Sequence, residues 1–136
     1  MDRSLTVIRN TEPAEREIDD TELRALLIGQ QSQSDEFLVR VLRQHMWVDV
    51  APDPIMVYAL NFGDVYDVII IHRSLDGSDG SAATCQELRR AGMNVPIIVL
   101  GPHGTTDDLV EAFDAGADDF MFEPINAELL SARIRA

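Results

Sequence analysis

At 136 residues the chain has room for one domain with a sizeable core, and too little for two independently stable ones. Its formal net charge is −13, from 24 Asp and Glu against 11 basic residues, every one an arginine. A surface of that sign repels phosphate backbones and argues against a domain that grips nucleic acid with its whole body. Cys85 is the single cysteine, so there is no internal disulfide and no framework for structural zinc. The longest apolar stretches run to about five residues, against roughly 20 for a membrane span. Met1-Asp2-Arg3-Ser4 does not open a secretory signal, and the expected compartment is the cytoplasm.

Residues 1–22 differ from the rest. Glu12, Glu15, Glu17, Asp19, Asp20 and Glu22 share the stretch from 12 to 22 with only Ala14 and Ile18 as apolar side chains. Such a segment cannot offset its ordering entropy by burial, and it is expected to be an acidic, flexible tail. Leu5, Val7 and Ile8 leave open a short strand or a docking motif.

From Leu23 a repeating pattern sets in. Ala25-Leu26-Leu27-Ile28 ends at Gly29 and reads as a strand buried on both faces. Ser34-Asp35-Glu36 introduces a helix whose Phe37, Leu38, Val41 and Leu42 fall on one face. Trp47-Val48-Asp49-Val50 alternates as a less buried strand does, and Asp53-Pro54 opens a second helix that Gly63 stops. Val68-Ile69-Ile70-Ile71 is another buried strand, ending at His72. The loop Asp76-Gly77-Ser78-Asp79-Gly80 leads into a helix through Cys85 and Leu88, closed by Gly92. Val95 to Leu100 forms a fourth strand, with Pro96 tolerable near its beginning. After Gly101-Pro102-His103-Gly104, Thr105 or Thr106 caps a helix carrying Leu109, Val110 and Phe113 up to Gly116. Asp119 to Phe122 is a final short strand before Glu123-Pro124, and the last helix begins near Asn126 with Leu129, Leu130 and Ile134.

Five strands, each followed by a helix, imply a flavodoxin-like α/β fold: a doubly wound, five-stranded parallel sheet with helices on both faces. Its crevice lies at the carboxyl ends of the strands, where Gly29, Gln30, His72, Gly101, Pro102 and Glu123 would gather.

Residues 95–135 resemble the second half of a response-regulator receiver domain, most closely of the OmpR type. The resemblance is carried by the Pro-Ile-Ile-Val-Leu strand, Ala115-Gly116-Ala117-Asp118-Asp119-Phe120, the pair Glu123-Pro124, and Leu130-Ser131-Ala132-Arg133-Ile134-Arg135. Tyr66-Asp67-Val68-Ile69-Ile70-Ile71 with the loop at 76–80, and Leu26-Leu27-Ile28, extend it over about residues 23 to 136. It implies a CheY-like receiver fold.

The resemblance also implies a phosphotransfer site, and every position of that site carries the wrong residue type. His72 stands where receivers have the acceptor aspartate, and Gly29 and Gln30 replace the acidic pair that holds magnesium. Gly101 replaces the hydroxyl residue, Glu123 the lysine, and the aromatic switch position is Phe120, which has no hydroxyl. Magnesium wants hard oxygen ligands, which Gly29 and Gln30 scarcely provide, and Glu123 would repel a phosphate. Asp76 and Asp79 could not easily replace both missing ligands. Aspartyl phosphorylation is therefore not expected, and neither a cofactor, a bound metal nor an enzymatic activity is.

His72 and Glu123 invert an acidic–basic pair, and a contact between them would hold one conformation or make the domain pH-responsive. His72, His103 and Glu123 as a zinc site lack any supporting spacing, and Cys85 reads as a packing residue. In OmpR-type receivers the fourth helix, fifth strand and fifth helix form a symmetric dimer knit by charge pairs. Asp119 and Arg133 match one such pair and Arg135 adds a cation, while Leu129 stands where the family often has an acid. The fourth helix is acidic through Asp107, Asp108, Glu111 and Asp114.

Three functions are weighed. The favoured one is a receiver that dimerises and signals without phosphorylation, in a transcription regulator whose separate effector domain, beyond Ala136, would contact DNA. The others are a stand-alone adaptor that binds a protein partner, and a ligand- or pH-responsive sensor built on the crevice. No Gly-rich phosphate loop, nucleophile–base pair or metal motif favours the last.

Overall fold

A computed structural model describes residues 23–29, 33–51, 66–72, 80–101 and 106–136. The strands are β1 (Arg24–Ile28), β2 (Trp47–Ala51), β3 (Val68–His72), β4 (Ile97–Gly101) and β5 (Asp119–Phe122). The helices are α1 (Gln33–Leu42), α2 (Gly80–Arg90), α3 (Thr106–Asp114) and α4 (Ala127–Arg135). The acidic tail and the helix expected after Asp53 lie outside the described residues. The expected fourth and fifth helices are therefore α3 and α4.

All strand pairings are parallel, in the order β2-β1-β3-β4-β5. The alternation of the strands divides the core into two. Leu26, Ile28, Ile69, Ile71, Ile97 and Val99 pack with Cys85 and Leu88 of α2 and Ala112 of α3. Ala25, Leu27, Ile70, Ile98 and Leu100 pack with Leu38 and Leu42 of α1 and Leu130 of α4. Successive strand residues point to opposite faces, so a continuous β-branched run is what a sheet covered on both sides needs.

β2 departs from the expectation of a half-exposed strand. Val48 to Ala51 are all buried, and Asp49 among them accepts a hydrogen bond of 2.6 Å from Tyr66 Oη. The polar residue that made the strand look exposed is accommodated by a hydroxyl from 17 positions away, a partner that periodicity does not reveal. α1 also departs from its expected face. Phe37, Val110, Phe113 and Leu129 are 60%, 50%, 46% and 46% exposed, so Phe37 lies off the face it was expected to share with the buried Leu38 and Leu42.

α4 starts where its cap requires: Asn126 Oδ1 accepts from Leu129 N–H at 2.9 Å. At the amino ends of β4 and β5, Arg89 holds several chain segments together. Its guanidinium donates to the Gly116, Met93 and Val95 carbonyls and to Asp118 Oδ2, which also accepts from Ile97 N–H. Gly116 has φ +115°, and a Cβ there would lie 2.8 Å from Arg89 Cγ, so both conformation and space demand glycine.

Burial pushes the Cys85 thiol up to about 11; Arg89 nearby pulls it down and Asp118 pushes it up, both more weakly. The folded state therefore keeps its proton after the unfolded chain has lost it at about 9, and stability falls as pH rises from about 9 to 11. Urea unfolding of wild type and Cys85→Ala should show the difference between them shrinking by about 2–3 kcal/mol across that window. A difference independent of pH would contradict the shift.

Candidate functional site

The crevice is assembled by the strand ends. Gly29 follows β1, His72 ends β3, Gly101 ends β4 and Glu123 follows β5, on three neighbouring pairings of the sheet. Gln30, Pro102 and His103 lie outside the described residues. Among the described ones, His72 Nε2 and Glu123 Oε2 are 3.3 Å apart, with side chains 12% and 26% exposed. An ionised carboxylate only accepts, so the imidazole Nε2–H donates. The contact weighed from the sequence is formed.

Two glycines leave space for it. β4 lies between β3 and β5, and its last residue, the buried Gly101, places no side chain between the partners. Glu123 N–H donates to the Gly101 carbonyl at 2.7 Å, seating the carboxylate-bearing residue against β4. A cis peptide links Glu123 to Pro124. On the other side, a Cβ at Gly29 would stand 3.0 Å from His72 Cβ, so a side chain there would crowd β3. Phe120 is buried in the core on the α2–α3 side, its ring 5.0 Å from that of Phe122.

The crevice as described does not suit magnesium. Its one carboxylate there, Glu123, is engaged by an imidazole, and Gly29 contributes no ligand and has no clearance for one. Among the described residues no group of three His, Cys, Asp or Glu converges as metal ligands.

A second surface lies along α3, β5 and α4. Arg133 Nη1 and Asp119 Oδ2 pair at 3.0 Å within the one chain. Arg135 Nε donates to the Ser131 carbonyl and hydroxyl one turn earlier. The exposed Val110, Phe113 and Leu129 belong to α3 and α4, bordered by the exposed acids Asp107, Glu111 and Asp114. Sequence reasoning named Leu129 and both charged partners but gave no surface role to Val110 and Phe113, because period alone does not say how wide a buried stripe is. It gave no role to Arg89, whose acceptors are mostly backbone carbonyls and leave no mark in composition.

A parallel doubly wound sheet with its crevice at the carboxyl ends, β3 ending inside it and a residue–proline pair after β5, defines a receiver-type signalling domain. The chain belongs to the response regulator receiver domain family, whose profile matches residues 25–135. It is 33% identical over 116 residues to the transcriptional regulatory protein TcrA of Mycobacterium tuberculosis, covering 84% of this chain and 45% of that protein. It is 29% identical over 115 residues to the transcriptional regulatory protein TctD of Salmonella typhimurium, covering 84% of this chain and 51% of that one. The chain thus spans about half the length of these curated relatives. Its fold is shared with a Francisella response regulator receiver domain, at TM-score 0.72 and 24% identity over 83% of this chain and 93% of that one. It is also shared with HP1043, an orphan response regulator of Helicobacter pylori, at TM-score 0.67 and 22% identity over 83% and 93% of the two chains. No described helix is long and apolar enough to cross a membrane.

Proposed function

We propose that this chain is an atypical receiver that signals and dimerises without aspartyl phosphorylation, as the input module of a transcription regulator. The observation that carries the reading is the His72–Glu123 contact at the carboxyl ends of β3 and β5. The acceptor position holds an imidazole, and the position that should attract a phosphate holds a carboxylate. Magnesium would lend phosphoryl transfer its charge neutralisation, and the described residues of the crevice offer no ligand set for it. The domain accordingly catalyses no reaction and needs no cofactor.

The dimerising surface is the α3–β5–α4 face. Val110, Phe113 and Leu129 supply apolar area that one copy leaves in water, and that area rather than the exposed Asp119–Arg133 pair sets the affinity. Acids on α3 and arginines on α4 give two copies related by a two-fold axis complementary charges to match. The curated relatives are transcriptional regulatory proteins about twice as long, so DNA contact is assigned to a separate effector domain. Location in the cytoplasm follows from that role.

Molar mass by light scattering over a concentration series, with and without acetyl phosphate and magnesium, tests this. A dimer indifferent to both reagents is expected. Dimerisation only with both would show that the crevice still accepts a phosphoryl group. A monomer under every condition would favour an adaptor that binds another protein.

A further inference from the structure

Along each pair of adjacent strands, backbone hydrogen bonds hold the sheet together. β3 and β5 are not adjacent, since β4 separates them, and His72–Glu123 reaches from one to the other over its end. Gly101 puts no side chain beside the bridge, a backbone bond seats Glu123 against Gly101, and Gly29 lies close to His72. Glu123 is followed within a few residues by the first turn of α4, and β5 and α4 carry Asp119, Leu129 and Arg133 of the exposed face. The pair therefore joins the centre of the crevice to the elements that build that face.

We propose that His72–Glu123 is a built-in strap that fixes the β5–α4 segment against the sheet, and so holds the α3–β5–α4 face in one arrangement without a phosphoryl group. A carboxylate hydrogen-bonded by a half-buried ring is stronger than a fully hydrated surface pair, because less water competes for either partner. Loss of either member releases the same restraint. Its effects should therefore be local, shared and non-additive, whereas two independent packing contacts would lose stability additively. The link from strap to self-association rests on the dimer reading above; the link from strap to β5 and α4 does not.

Hydrogen exchange followed by mass spectrometry on the 136-residue chain tests it, with His72→Ala, Glu123→Ala, the double variant and the milder Glu123→Gln. Each single Ala variant should exchange about tenfold faster through residues 119–130, while the protected amides of β1 keep their rates. The double variant should exchange no faster than either single one. Glu123→Gln keeps the shape and an acceptor without the charge, and should fall between wild type and Glu123→Ala. Unchanged rates in the folded single variants, or additive effects in the double, would overturn the strap. Should an Ala variant not fold, Glu123→Gln at wild-type rates would overturn it by itself. Light scattering of the same samples separates the two proposals. A wild type that stays monomeric rejects the dimer, and the exchange pattern still decides the strap.

Discussion

Arg89→Ala is expected to lower stability by about 3 kcal/mol and the melting temperature by roughly 10–15 °C. The side chain is half-buried, and its guanidinium serves the Gly116, Met93 and Val95 carbonyls together with Asp118. Removing it deprives three backbone acceptors of a planar fork of donors. The ion pair with the exposed Asp118 carboxylate contributes little by comparison, so Asp118→Ala owes its cost to the lost Ile97 N–H bond. Arg89→Lys should recover less than half, because one ammonium cannot span the same acceptors. The neighbour offers an internal check. Gly116→Ala brings a Cβ to 2.8 Å from Arg89 Cγ, and it should cost less in the Arg89→Ala background than in wild type. Only the φ of +115° remains to strain the alanine there. Calorimetry giving Arg89→Ala a melting point within about two degrees of wild type would refute the clamp.

The second large effect concerns self-association. Phe113→Asp with Leu129→Asp should weaken the proposed dimer at least a hundredfold, roughly 3 kcal/mol, while leaving monomer stability within about 1 kcal/mol. Both residues are nearly half exposed in the single chain, so the change is small for folding and large for an interface that must desolvate them. Asp119→Asn, which breaks the pair with Arg133, should change affinity only a few-fold and more at low salt than at high. Sedimentation velocity over a concentration series reads all three. If Asp119→Asn proved the more damaging change, charge rather than apolar contact would govern the interface.

The fold is legible in the sequence because each strand carries its own signature. Ala25 to Ile28, Val68 to Ile71 and Val95 to Leu100 are apolar at both alternations, which only a sheet covered on both faces tolerates. The matching glycines and Asn126 mark where the helices stop and start. β2 was misjudged through Asp49, whose burial depends on Tyr66 from beyond the next segment of chain. Phe37 was placed on one face with Leu38, Val41 and Leu42 and instead faces outward, because a helical period locates a stripe but not the edge of the sheet it covers. Four of the crevice residues could be placed from strand ends alone, since topology carries every strand's last residue to the same side. The His72–Glu123 distance could not, because it depends on the register of three strands and on a side chain missing at Gly101.

Arg89 and the His72–Glu123 pair sit at opposite ends of β4 and β5. At the amino ends, a guanidinium and a carboxylate lock Met93, Val95, Ile97, Gly116 and Asp118 into one block. At the carboxyl ends, the described side-chain link from β3 to β5 is a single contact of 3.3 Å. Among the described residues, side-chain bonding across these strands is therefore denser at the amino ends than at the carboxyl ends. Loss of the His72–Glu123 contact is therefore expected to leave the bonds around Arg89 in place, so that the two ends of β4 and β5 can be disturbed separately.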